Sequence, residues 1–262
     1  MRILLASLLV PLAACAAPSG SFHQSIESLS SLESIELTYE GAISSEGLPA
    51  AVWDGADVDR TGPTVDFQVS LFEVDRDVLP AIWEGGESWT RADRVKRTGA
   101  TELLDELVAN EKAAVFSNPR ILIHRGTMSN MVISNSISFV NSFSIKTMGG
   151  TTIADPEIEI KRDGILVEVS SAKGSSMEQC EIHLKLSLAK LQRPIPETVG
   201  LIPGTTNNVT VQTPIFCTQQ IELSTLLGSD DALLVGPLAP FKGERAIVVL
   251  LTADLFPEGP QD

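Results

Sequence analysis

The chain has 262 residues, 43% of them hydrophobic, and carries 34 Asp and Glu against 19 Lys and Arg, a formal net charge of −15. That acidity excludes nucleic acid as a partner and argues against charge-driven binding to an anionic lipid surface, since both need cationic side chains to meet phosphates. The length suits one β domain with an appendage or two small domains, and no internal apolar run reaches the length of a membrane-spanning helix.

Residues 1–14 read as a targeting segment: Arg2, an apolar run from Ile3 to Val10, then Leu12-Ala13-Ala14 directly before Cys15. Leu-Ala-Ala-Cys matches the lipobox of bacterial lipoproteins, which makes Cys15 the expected lipidation site and the first residue after cleavage; an ordinary secretory cut after Ala14 is the alternative. Ala16 and Ala17 in place of Asp resemble the sorting signal for the outer membrane, so the expected location is that membrane, facing the periplasm. Acyl chains would supply the membrane attachment at about 0.8 kcal/mol per buried methylene. Residues 15–63 are expected to hold the anchor, a Ser- and Glu-rich tether and a short N-terminal piece, in which residues 35–39 form a strand of unassigned pairing and Trp53 covers core.

Residues 64–256 read as mainly β with one or two short helices, and residues 257–262 as a tail. Val65, Phe67, Val69 and Leu71 alternate with Asp66, Gln68 and Ser70 in a strand of about ten residues. Residues 75–99, with Trp83, Gly85-Gly86 and Trp89, read as an excursion. A helix follows, with Thr101 as N-cap and Leu103, Leu104, Leu107 and Val108 as its apolar stripe. Ser117-Asn118-Pro119 predicts a corner between two strands, because the residue before proline is pushed out of the helical region. The Ser- and Asn-rich tract 134–144 reads as a strand, and Arg162-Asp163-Gly164 as the turn of a hairpin between residues 158–160 and 165–169. Residues 232–238 and 246–255 read as further strands, the second buried on both sides.

Two alternating runs organise the domain. In residues 180–188, Cys180, Ile182, Leu184, Leu186 and Leu188 share one face and Glu181, His183, Lys185 and Ser187 the other. In residues 209–223 the odd positions carry the apolar side chains, and Pro214 predicts a bulge or an edge. Placing Cys180 opposite Cys217 sets Ile182 beside Ile215, Leu186 beside Val211 and Leu188 beside Val209. An exported chain with these two cysteines permits one disulfide, which would enclose about 36 residues and stabilise by roughly 3 to 4 kcal/mol; two buried free thiols are the alternative.

From Val65 to Leu255 the order of these segments resembles the C-terminal secretin domain of type II and type III secretion and type IV pilus systems. The resemblance rests on the opening strand ending in Glu73-Val74, on Ser117-Asn118-Pro119-Arg120, on Asp163-Gly164-Ile165-Leu166-Val167-Glu168-Val169, on Thr213-Pro214 and the strand after it, and on Val235-Gly236-Pro237-Leu238. Ser138, Ser170 and Pro237 depart from the family's pattern. The resemblance implies secretin-like antiparallel strands and hairpins and a homo-oligomeric channel for protein secretion or pilus export, with residues 134–151 as a gate hairpin and secretion or pilus components as partners. The alternative is a periplasmic lipoprotein using the fold as a structural or docking module of a secretion assembly.

Catalysis is not expected. His23, His124 and His183 lie far apart without Cys or carboxylate neighbours at metal-ligand spacing, and neither a phosphate-binding glycine loop nor a nucleophile elbow is present. No metal or other cofactor is expected.

Overall fold

The computed structural model describes residues 22–27, 34–49, 63–83, 90–172, 178–202, 205–238 and 245–256. The targeting segment, Cys15, Trp53, Gly85-Gly86 and Trp89 lie outside them. In chain order the elements are β1 (Phe22–Glu27), β2 (Ser34–Ser44), β3 (Thr64–Asp75), a short 3-10 turn leading into α1 (Leu79–Ile82), β4 (Arg91–Lys96), α2 (Arg97–Ala109), β5 (Ala113–Ser117) and β6 (Arg120–His124). Then follow β7 (Met128–Met148), β8 (Thr151–Ser171), β9 (Gln179–Leu191), β10 (Glu197–Leu201), β11 (Asn208–Gln212), β12 (Phe216–Gly228), β13 (Asp231–Leu238) and β14 (Arg245–Phe256).

The strands build two six-stranded antiparallel sheets that pack face to face, plus the small β10–β11 hairpin. The front sheet runs β1-β2-β12-β9-β8-β7; the back sheet runs β4-β13-β14-β3-β5, with β6 also paired to β3. Alternation decides which side chains meet. Ile182, Leu184, Leu186 and Leu188 from β9 join Val167 and Val169 from β8 and Ile221 and Leu223 from β12, and face Val65, Phe67, Val69, Leu71, Val249 and Leu251 of the back sheet. A second core fills the far side of the back sheet, where Leu104 and Leu107 of α2 cover Phe72, Val74, Leu234, Val248 and Leu250. β14 therefore lies between two cores and is buried from Ala246 to Ala253, as its unbroken apolar run requires. Trp83, expected in an excursion, is buried at 2% exposure in this second core, with Arg91 stacked 5.8 Å from its ring centroid.

The helix begins a turn before the sequence signal. Its first residue is Arg97, whose N–H donates to Asp230 O at 3.0 Å, so Thr101 lies inside α2 and is not its N-cap. The Ser-Asn-Pro corner is as expected: Asn118 Oδ1 accepts from Ser70 Oγ at 2.8 Å and Gln68 Nε2 at 3.1 Å, and Val69 N donates to Pro119 O. Beside it, Arg120 grips Asp66, whose carboxylate is 7% exposed, and Arg97 pairs with Asp254.

The strand pairing departs from the sequence reading in three places. First, Pro214 ends the run 209–223 outright. Residues 213–215 belong to no strand, and β11 before them pairs with β10 while β12 after them pairs with β9. A residue without a ladder donor marks where the chain leaves one sheet for another. Second, Cys180 lies opposite Leu227 and Cys217 opposite Lys190, a slip of ten positions, from 217 to 227. At about 3.3 Å per residue the two cysteines are about 33 Å apart along the sheet, and both are buried free thiols. Once β12 starts at Phe216, apolar alternation continues past Leu223 to Leu227, and this register fills the whole length of β9. Third, Asp163-Gly164 is no turn. Residues 151–171 form one continuous strand, and the reversal lies at Gly149-Gly150, with φ +59° and +82°, the positive pair a two-residue hairpin demands. The strand at residues 35–39 finds its place in β2, paired along β12.

Candidate functional site

β7 and β8 are each 21 residues long and pair over nearly their full length, from Met128↔Ser170 to Met148↔Thr151. β8 pairs with β9 only from Gly164↔Ala189 to Ser171↔Ile182. Beyond Gly164 the two strands therefore leave the front sheet as a two-stranded ribbon, residues 134–163. Fifteen residues from Ser134 to Met148 reach about 50 Å. The segment expected as a gate hairpin, 134–151, is one strand and the turn of this ribbon.

The ribbon has two unlike faces, because directly opposed residues of an antiparallel pair project to the same side. One side carries Ser138 with Ile160, Val140 with Ile158, Phe143 with Pro156 and Ile145 with Ala154. The other carries Phe139 with Glu159, Ser142 with Glu157, Ser144 with Asp155 and Lys146 with Ile153. A bulge between Val140 and Ser142 produces this sorting. Were Asn141 an ordinary paired residue, the period-2 rule would put Phe143 and Ile145 on the carboxylate side; because the bulge leaves Asn141 out of the ladder, they join Val140, Ile158 and Ile160. Ile158 and Ile160 are 65% and 62% exposed, and Ile145 on the same side is also open to solvent, while Met148 and Ile153 are exposed on the other side. On the polar side, Lys146 pairs with Asp155 at 3.5 Å and Lys161 with Glu159 at 2.9 Å, while Ser142 Oγ donates to Glu157. β7 is the terminal strand of its sheet, so among the described residues β8 is its one ladder partner; Gln212 of β11 reaches its outer edge, accepting from Val140 N at 3.4 Å.

Elsewhere the described residues offer little chemistry. Cys180 and Cys217 remain on the inward face but are not brought together; burial pushes the Cys180 thiol up, and Cys217 Sγ accepts from Gln192 Nε2 at 3.0 Å. No group of three His, Cys, Asp or Glu among these residues could hold a metal ion. The outer face of the front sheet carries a row that sequence spacing did not reveal. His183 Nδ1 lies 2.8 Å from Ser224 Oγ, and its Nε2 lies 3.4 Å from Glu222 Oε1. Hydroxyl, imidazole and carboxylate come in the order of a nucleophile, base and acid. Ser224, however, sits in a strand laddered on both sides, to His183 and to Glu36, so its neighbouring amides face ladder partners instead of a developing oxyanion. The row works as a cross-strand polar contact.

No family model matches the sequence, and no curated protein matches it. Among solved structures, the chain is similar to the InvG secretin domain β-barrel from the Salmonella SPI-1 injectisome, at 10% identity and a TM-score of 0.27, covering 76% of this chain and 65% of that one. It is also similar to the V. cholerae type IV competence pilus secretin PilQ, at 6% identity and a TM-score of 0.22, covering 86% of this chain and 61% of that one. The chain thus spans less than two thirds of either structure, and at these scores the fold stands on its own residues.

Proposed function

We propose that this chain is one subunit of a ring assembly in which the β7–β8 ribbons of adjacent copies close a barrel through the outer membrane, with lipid on the isoleucine side and water on the carboxylate side. The observation that carries this reading is the ribbon's division into an apolar and a charged face, created by the bulge at Asn141. A two-stranded ribbon alone cannot enter hydrocarbon, because its edges would carry unsatisfied N–H and C=O groups; neighbouring copies must complete the ladder. The outer edge of β7, which has no ladder partner among the described residues and is met by Gln212 at Val140, supplies one side of such a joint. Lipid on Cys15 would bring each subunit to the membrane before assembly, and the passenger would be protein or pilus material, as the sequence resemblance implies.

The test is the mass of the full, lipidated chain extracted in mild detergent, by light scattering and negative-stain microscopy. Rings of a dozen or so subunits are expected. A monodisperse monomer that stays in solution without detergent once Cys15 is replaced would overturn the proposal.

A further inference from the structure

We propose that residues 45–49 are a clasp on the root of the ribbon and that Gly164 is the pivot it restrains. β2 follows β12 as far as Ser44↔Phe216, and Phe216 is in turn opposite Leu191, so these three residues mark one end of the front sheet. The chain then crosses from the β12 side, past the end of β9, to β8. There Leu48 N donates to Arg162 O at 2.9 Å. Had the β8–β9 ladder continued beyond Gly164↔Ala189, Leu191 would stand opposite Arg162. It does not: Leu191 N donates instead to Asp163 Oδ2 at 3.1 Å, and Gln192 N to Ile215 O at 2.8 Å. β9 and β8 part at this point, and the clasp takes the place that β9 gives up.

Three contacts hold it. Leu48, 9% exposed, packs with Leu166, Ala189 and Val132. Glu46 Oε2 lies 2.8 Å from Lys161 Nζ. At Gly47 the clasp lies so close to β8 that a Cβ would stand 2.6 Å from Arg162 O, which no side chain tolerates. Gly164 lies two residues beyond Arg162, with φ +148°, and a Cβ there would fall 2.1 Å from Ile133 O. The conformation only glycine adopts thus coincides with the position where β8 loses its second ladder partner. Below it β8 is fixed on both edges; above it the clasp holds the root of the ribbon, and Gln212 of β11 touches it farther out through Val140 N. Because the clasp continues directly from β2, peeling β2 from β12 would release it and let the ribbon swing once the Val140–Gln212 contact parts.

The test uses spin labels on cysteines introduced at exposed positions by Thr151→Cys, at the ribbon tip, and Glu102→Cys, on α2, in the full chain, leaving the buried Cys180 and Cys217 in place. The label-to-label distance distribution is compared in three backgrounds: otherwise unchanged, with Leu48→Ala, and with Gly47→Ala, which displaces the clasp without removing apolar surface. Both clasp variants should widen the distribution about twofold, while hydrogen exchange along the β7–β8 ladder stays within about threefold of the parent, because the ribbon moves as a unit. An unchanged width in both variants overturns the proposal. So does a widening accompanied by loss of protection at the ribbon tip, which would mean that the ribbon melts instead of pivoting.

Discussion

Replacing Leu227 by cysteine tests the central register of the front sheet. Leu227 is directly opposite Cys180, and the two are 0% and 1% exposed. Opposed residues of an antiparallel pair have Cα atoms about 4.5 to 5.5 Å apart, inside the window a disulfide needs. The bond would close a loop of about 47 residues, which the chain-entropy relation values at about 4 kcal/mol. Exchanging the leucine for a smaller side chain in a filled core gives back about 1 to 2 kcal/mol. A net gain of about 2 kcal/mol corresponds to a rise in Tm of about 4 to 8 °C for a domain of this size. Oxidised Leu227→Cys protein, compared with and without reductant by calorimetry and mapped by peptide mass, should show that rise and a bond from Cys180 to the new thiol, with Cys217 unmodified. A Cys180–Cys217 bond in the parent protein, or no bond to the new thiol under conditions that oxidise the unfolded chain, would refute the register.

Gly164→Ala should destabilise by about 3 kcal/mol or more in urea denaturation, since φ +148° and a carbonyl 2.1 Å from the new Cβ act together, whereas Gly150→Ala, with open space around it, should cost about 1 to 2 kcal/mol. The Arg97 guanidinium beside Asp254 holds that carboxyl below the ordinary carboxylate value. A depressed folded-state pKa means that the pair's contribution is complete above the unfolded value of about 4 and is lost as pH falls through the folded one. With side chains 29% and 42% exposed, screening limits it to about 0.5 to 1 kcal/mol, so Asp254→Asn should lose that much at pH 7 and show a shallower fall in stability below pH 4. Replacing both Ile158 and Ile160 by Lys should change the unfolding free energy of the monomer by less than about 0.5 kcal/mol, because both are mostly exposed, yet abolish rings in detergent.

What could be read from the sequence was faces, and what could not was partners. Cys180, Ile182, Leu184 and Leu186 fall on one side of β9 in any register, because a slip by an even number of residues preserves the face; the ten-residue slip against β12 is such a slip, invisible to period-2 reasoning. Only where Pro214 cuts the run does the true register become the better fit. Asp163-Gly164 and Gly149-Gly150 are both adequate turn sequences in isolation. The choice between them is made by the continuous ladder of β7 against β8, a contact between distant residues. The ribbon's two faces were concealed for a related reason. Ile137 and Phe139 share a parity with Phe143 and Ile145, so the tract 134–144 reads as one strand with one apolar side until the bulge at Asn141 resets the count. The clasp left no signal at all, since Glu46-Gly47-Leu48 has neither periodicity nor motif and acquires meaning only from where β9 ends.

The position of β14 between two cores has a consequence for how the chain is made. Its ladder with β3 joins residues far apart, Arg245 to Asp75 across a separation of 170. Until residues 245–256 have been synthesised, β3 lacks the neighbour that covers one whole edge, and neither core can close. The loop-closure entropy of so distant a pairing falls due before any of its contacts form, which makes for slow folding. On the export route proposed above, such slowness would be useful: a chain that has not yet closed its sandwich can still be threaded across a membrane, and closure would follow once both ends of that ladder are in the same compartment.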